Sequence, residues 1–364
     1  MSAFARILAL GIAQPPYQWR QNDLCDAICA YVLGPDWNAR PEAAASVQRI
    51  ARLFGASGVR TRQSAIDVKA FYSEPRSTGE RMAEYQRCAY PLGRAAVEQS
   101  LAHADGVSPS KITDLILVSC TGYAAPGIDI QLARDLALPR DLRRVVIGHM
   151  GCFGAIVGLR QSLAALAVHP DATVLLLTVE LSSLHFARTL DLDTLTSFAL
   201  FGDAAAAVLL SAAPSAPTTV GPVIIDSYCA ADFGSAEQMS WTITDAGFIM
   251  GLSPRIPVTL RRNIRGVVER LLAPHGLTTR DITHWLVHPG GPSILEAIAG
   301  KLELSQEQMA LSWQVLAEHG NCSSATVLLI LDQLLRERRA RPGDWGVMMA
   351  FGPGLTLETC LLRF

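Results

Sequence analysis

A prevailing charge is the first thing this chain lacks: 31 basic against 33 acidic residues leave a formal net charge of −2, which supplies no sequence-wide field for nucleic acid or an anionic membrane. Charged residues of either sign are also few, 18% beside 50% hydrophobic. That composition excludes a disordered chain and lets 364 residues bury one large core or two fused ones. No apolar run approaches the roughly 20 residues that span a bilayer. The N-terminal ARILALGIAQPP has neither a long apolar leader core nor a small-residue cleavage site, and it reads as a first strand ended by Pro15 and Pro16. Cysteine is sparse too. Eight in a chain of this length are too few for a disulfide scaffold. Cys25 and Cys29, four apart on a helix-like stretch, have no second Cys or His pair at zinc-site spacing and read as buried structural thiols. Together these absences point to a cytoplasmic protein without a transmembrane segment, whose partners are small molecules or another copy of itself.

What is present is a duplication of pattern. In the first half the β-branched run DLILVSC (114–120) is followed by a second strand, RRVVIGH, then Cys152, then the helix-like FGAIVGLRQSLAALAVHP and the buried strand ATVLLLTVE. The second half repeats the order: HWLVHP ending at His288, then Asn321, the helix SSATVLLILDQLLRERR and the strand WGVMMAFG. Cys120 and Cys152 lie 32 positions apart, and His288 and Asn321 lie 33 apart. Each half closes on a further strand, AAAAVLL after the turn FGD and TLETCLL after the turn GPG. Strands that alternate with helices and read as continuous apolar runs imply mixed or parallel sheets covered on both faces. Two such halves, 1–220 and 221–364, make a layered α/β fold, with the Pro-containing SAAPSAPTTVGP (211–222) as boundary. Strand ends and helix N-termini of both halves then meet at one seam, where open α/β sheets put their ligands.

Three residues stand at that seam. Cys152 follows a strand and opens a helix between Gly151 and Gly154, a setting that lowers a thiol's pKa toward the reactive thiolate; the plain alternative is a packed core thiol. His288 ends a strand before the open loop PGGP and is placed to pair with a thiolate and donate to a developing oxyanion. Asn321 follows Gly320 just before a helix, so it reads as an N-cap, as a catalytic donor, or as both.

The strings GCFGA, ALFGDAAAAVLL, HPGGPSIL, GNCSSATVLLILD and WGVMMAFGPGLTLET resemble, in order and over almost the whole chain, those of the type III polyketide synthases, the chalcone synthase superfamily. The resemblance implies a thiolase-like αβαβα fold, a homodimer, and an acyl-CoA starter and malonyl-CoA used without a metal or redox cofactor. It places Cys152, His288 and Asn321 at the catalytic Cys, His and Asn. It places Gly290, Ser293, Arg49 and Arg52 at coenzyme A-binding positions, with Ala56 where a third basic residue is usual. Phe351, Gly352, Pro353 and Gly354 fall in the oxyanion and cyclisation loop.

The resemblance also assigns substrate-cavity positions. Phe201 matches one of two gatekeeper phenylalanines, and Met250 stands at the other. Cys120 replaces a Thr, Ala125 a larger residue that reaches across the dimer, and Trp241 a small Gly, while Ser182, His185 and Ser323 match further lining positions. Each taken singly is compatible with ordinary packing. The segment MSWTITDAGFIMGLSPRIP is most similar to bacterial long-chain alkylpyrone and alkylresorcinol synthases, which implies a fatty acyl starter extended by malonyl units. An initiating ketoacyl carrier-protein synthase, which uses the same trio for one condensation, and a non-catalytic acyl-CoA-binding dimer partner are the alternatives. The HPGG and GPGLTLE contexts weigh against the first and the intact trio against the second. The run RERRAR (336–341) reads as surface at a helix end.

Overall fold

The computed structural model describes residues 4–212 and 221–364, so most of the boundary segment expected at 211–222 lies outside the described residues. The first half runs β1 (Ala5–Ala13), β2 (Tyr17–Arg20), α1 (Gln21–Leu33), α2 (Ala44–Ala56), β3 (Thr61–Ser64), the single turn α3 (Val68–Phe71), α4 (Thr78–His103), β4 (Asp114–Ser119), α5 (Ile128–Asp135), β5 (Arg143–Gly148), α6 (Gly154–Val168), β6 (Thr173–Leu181), α7 (Leu192–Leu200) and β7 (Asp203–Ala212). The second runs β8 (Val223–Ala231), the hairpin β9 (Met239–Thr244) and β10 (Gly247–Leu252), α8 (Ile256–Leu272), β11 (His284–Val287), α9 (Pro292–Leu302), α10 (Gln306–His319), α11 (Thr326–Arg336), β12 (Trp345–Gly352) and β13 (Thr356–Arg363).

Side chains alternate across a strand, and here both faces are apolar because both are covered. Leu175, Leu177 and Val179 of β6 pack toward α1 and α4 in one core, while Val174 and Leu176 turn to a second core shared with α6 and α11. In β12, Met348 and Ala350 enter that same second core, whereas Val347, Met349 and Phe351 enter a third, under α8 and α9. The middle core therefore lies between two half-sheets, and the layering is αβαβα as expected. The half-sheets β5-β4-β6-β7-β1 and β8-β13-β12-β11 join through a short pairing of β1 with β8 into nine strands.

The internal repeat is visible as β4-α5-β5-α6-β6-β7 against β11-α9-α10-α11-β12-β13, with one difference. The second half has a helix, α10, where the first has the strand β5. Its Ser305–Gln308 capping box starts that helix firmly. Equal spacing thus survives a change of element type. Gly151–Val168 is apolar enough, by length and composition, to cross a membrane. It is instead the α6 segment of the middle core, through Ile156, Leu159 and Leu166.

Candidate functional site

A cavity of about 650 Å³ opens at the carboxyl ends of the central strands, and Cys152, His288 and Asn321 all line it. Three local devices bring them there. After β5 the chain turns through Gly151, at φ +75°, into the short helical turn Gly151–Phe153 that leads α6. A Cβ on Gly151 would lie 2.7 Å from Cδ of Pro353, so the β12–β13 turn presses directly on the cysteine loop. His288 continues β11: its N–H donates to the Met349 carbonyl at 2.9 Å and its own carbonyl accepts from Gly290 N–H at 3.0 Å. Asn321 is held by main chain on both sides of Phe201, its N–H donating to Leu200 O at 2.8 Å and its carbonyl accepting from Gly202 N–H at 3.0 Å.

The side chain of Asn321 bonds to main chain two residues on and stands beside the cysteine, while the N-cap position itself is Cys322. Its Oδ1 accepts from Ser323 N–H at 2.8 Å, at the start of the turn Ser323–Ala325, and its Nδ2 stands 3.9 Å from Cys152 Sγ. Both ends of the amide are about equally far from the sulfur, Oδ1 at 3.8 Å and Nδ2 at 3.9 Å, and Oδ1 alone is held by the Ser323 main chain. His288 is 1% exposed, and neither ring nitrogen has a hydrogen-bond partner among the described residues. A buried imidazole with two unsatisfied nitrogens is costly, and both nitrogens are free for a substrate.

The electrostatics depart from the thiolate expected of a cysteine at a helix start. Burial pushes the Cys152 thiol up to about 12, against the lowering effect of Ser323 and Asn321, and nearby Glu180 adds to the rise. Burial also pushes His288 down to about 3. Both shifts favour the uncharged forms, neutral thiol and neutral imidazole, and no Cys152–His288 hydrogen bond forms among the described residues. Desolvation of a nearly enclosed sulfur outweighs the half-charge of one helix terminus.

Of the other positions, Phe201, Met250, Gly290, Ser293 and Phe351 line the cavity. Gly352 and Pro353 pack on the cysteine turn, and a Cβ on Gly352 would meet the Phe153 ring at 2.5 Å; Gly354, at φ +126°, completes that bend. Cys120, Ser182, His185, Trp241 and Ser323 are not among the lining residues. Cys120 lies behind Cys152, its N–H and thiol donating to the buried Glu180 carboxylate at 3.0 and 3.2 Å, with Ser323 Oγ 3.7 Å from its sulfur. Trp241 donates its indole N–H to the Cys120 carbonyl at 2.7 Å. His185 is buried and stacks on Phe248 at 4.3 Å, and Ser182 is buried in the short turn Ser182–His185. Ala125 is exposed, next to a cis bond to Pro126. Arg49 and Arg52 are exposed on α2, with Arg52 donating to Gln48 at 3.0 Å. Leu53 and Ala56 of the same helix line the cavity.

Sequence reasoning missed much of the apolar wall, including Leu192, Leu252, Pro254 and Pro257, and it missed Glu180. An acid ending the apolar run ATVLLLTVE was the available signal, since a charge in a fully buried strand needs partners.

Known proteins now give this geometry its context. Residues 2–214 match the family described as chalcone and stilbene synthases, N-terminal domain, and residues 232–364 match its C-terminal domain. The 1,3,6,8-tetrahydroxynaphthalene synthase of Streptomyces peucetius subsp. caesius is 34% identical over 98% of this chain and 93% of its own length. A polyketide synthase-like protein of alpha-pyrone synthesis from Mycobacterium tuberculosis is 29% identical over 98% of this chain and 90% of its own. Among solved structures, PKS-I of the brown alga Ectocarpus siliculosus superposes with a TM-score of 0.91 at 27% identity, covering 100% of this chain and 99% of that one. The C-terminal type III polyketide synthase domain of Steely1 from Dictyostelium gives 0.88 at 25%, covering 99% of both. Matched through both halves, the chain belongs to the chalcone and stilbene synthase family: it is a type III polyketide synthase, an acyltransferase of coenzyme A thioesters that needs no further cofactor.

Proposed function

We propose that this synthase loads an aliphatic acyl starter, of fatty acyl type, from coenzyme A onto Cys152. It then extends the chain with two or three malonyl units and closes it to an alkylpyrone or alkylresorcinol-type ring. The observation that carries the starter class is the cavity wall: Leu192, Leu200, Phe201, Met239, Met250, Leu252, Ile256 and Ile294 are apolar, and no Lys or Arg is among the lining residues. An alkyl chain against that wall gains about 0.8 kcal/mol per buried methylene.

The chemistry follows from a neutral pair. As Cys152 sulfur attacks the thioester carbonyl, its proton passes to the His288 imidazole, which returns it to the departing coenzyme A sulfur. Malonyl-CoA then loses carbon dioxide, and the electrons of the broken C–C bond become the thioester enolate. His288, kept neutral by burial, and Asn321 Nδ2 donate to that oxyanion, so the stabilisation arises where charge develops. The enolate carbon attacks the Cys152-bound carbonyl, a C–C bond forms and the thiolate leaves. Recapture of the lengthened chain by Cys152 starts another round.

Arg49 and Arg52, each one turn along α2 before the lining residues Leu53 and Ala56 respectively, would pair with coenzyme A phosphates. A homodimer is supported by β5: it is a free sheet edge, and Val145 and Val146 on it and the neighbouring Tyr123 and Met150 are exposed. Eight unpaired cysteines fit a reducing, cytoplasmic setting. Incubation with malonyl-CoA and acyl-CoA starters of graded length, with products identified by mass, tests the reading. Turnover that rises with alkyl length supports it, and a clear preference for acetyl, malonyl or aromatic starters refutes it.

A further inference from the structure

We propose that Arg62, which does not touch the cavity, is a positioning residue that holds Asn321 and Phe201 in register for malonyl decarboxylation. The proposal rests on the roles given above to Cys152 and Asn321. Arg62 is 2% exposed in β3. Its Nη1 donates to the carbonyls of Phe198 at 2.7 Å and Phe201 at 2.6 Å, and its Nη2 donates to Ala199 O at 2.5 Å and to Gln21 Oε1.

The three carbonyls belong to the end of α7 and the residue after it, the part of a helix that has no intrahelical donors. A buried guanidinium is therefore spent as a cap, with the negative helix end offsetting its charge. Among the described residues it forms no ion pair: Asp203, the acid among its electrostatic neighbours, is occupied by Ala65 N–H at 2.7 Å and by Ser183 N–H and Oγ at 2.8 and 2.5 Å. So expensive a group would be an odd choice for a helix end that carried no further duty.

The duty is visible one residue on. Leu200 and Gly202, on either side of the capped Phe201, make the main-chain bonds that hold Asn321, and Phe201 and Asn321 pair as a parallel bridge. On the opposite side Gln21 joins the cap to the cavity's α2 wall, its Nε2 donating to Ala199 O and Ser57 Oγ, each at 2.8 Å. Cys152 is set chiefly by the β5–α6 turn against Pro353, and it meets the Asn321 amide only at 3.8 and 3.9 Å. Loosening Arg62 should therefore move the enolate donor and leave the nucleophile in place.

The test uses the full-length enzyme with Arg62→Met and Arg62→Lys. Two rates are compared: acylation of Cys152 by starter acyl-CoA, read by protein mass, and malonyl-CoA decarboxylation without starter. Decarboxylation in Arg62→Met should fall roughly 10–100-fold, as expected of a displacement of up to an ångström, while acylation stays within a few-fold. Arg62→Lys should recover part of the loss. Equal losses in both rates, or none in decarboxylation, overturn the proposal. Should Arg62→Met fail to fold, Gln21→Leu must give a smaller loss with the same asymmetry, and a symmetric loss again overturns it. A wild-type enzyme that shows neither reaction overturns the proposed function, and this proposal with it.

Discussion

Asn321→Ala removes two interactions of different kinds, and their magnitudes separate them. Loss of Oδ1, which accepts from Ser323 N–H at 2.8 Å, costs about what a helix cap costs, ~1 kcal/mol. That is a small part of the roughly 5–15 kcal/mol that keeps a domain folded, so the variant should purify as a folded protein with a slightly lowered melting temperature. Loss of Nδ2, which stands 3.9 Å from Cys152 Sγ, would deprive the enolate of the donor proposed for it. Removal of one such donor costs about 2.7–4 kcal/mol, a 10²–10³-fold fall in kcat. The assay is malonyl-CoA decarboxylation without starter, run beside alkylation of Cys152 by iodoacetamide. Alkylation should stay within a few-fold, because the amide's contacts to the sulfur, at 3.8 and 3.9 Å, are long. A fall in decarboxylation of less than about tenfold, worth ~1.4 kcal/mol, would refute the donor role. So would an equal fall in alkylation, which would show that the variant had disturbed the whole site.

Because burial holds the Cys152 thiol at about 12, the thiolate fraction of the substrate-free enzyme should grow about tenfold per pH unit from roughly pH 6 to 9. The alkylation rate should climb with it, and a plateau across that range would mean a standing thiolate–imidazolium pair. Gly151→Ala forces φ +75° on a residue whose Cβ meets Pro353 at 2.7 Å. It should cost about 1–3 kcal/mol and slow Cys152 acylation by more than about tenfold, read by thermal melt and protein mass; unchanged acylation would contradict the close approach. Trp241 pairs with Met250 across the β9–β10 hairpin and so shares its face. Trp241→Ala, at half-buried Trp241, should extend the cavity past Met250 and lengthen the longest starter accepted, as seen in product masses. Replacing Arg49 and Arg52 together by Ala should raise KM for acyl-CoA with little change in kcat, and added salt should shrink the difference between variant and wild type.

The layering and the trio were legible in the chain because each is written locally. Runs such as ATVLLLTVE and WGVMMAFG have no polar face, so they belong in strands covered on both sides. Cys152, His288 and Asn321 carry their own glycines and prolines, and those bends aim them at a seam. Spacing alone suggested two matching halves, yet it could not tell that α10 replaces β5, since a helix and a strand with its connection can use the same number of residues. Cys120, His185, Trp241 and Ser323 were named from resemblance as cavity positions. In the fold they are not among the residues that line the cavity, and they are tied to Glu180, Thr121 and one another.

By itself, then, the sequence determined the family, the order of elements and which three side chains meet, because periodicity, turn chemistry and motif strings are properties of neighbouring residues. Tertiary structure alone decided the state of those side chains. The protonation of Cys152 and His288 depends on how much water is excluded by residues hundreds of positions away. The charge of Arg62, in a string that looks like exposed β-strand, is spent on a helix end it meets only after folding.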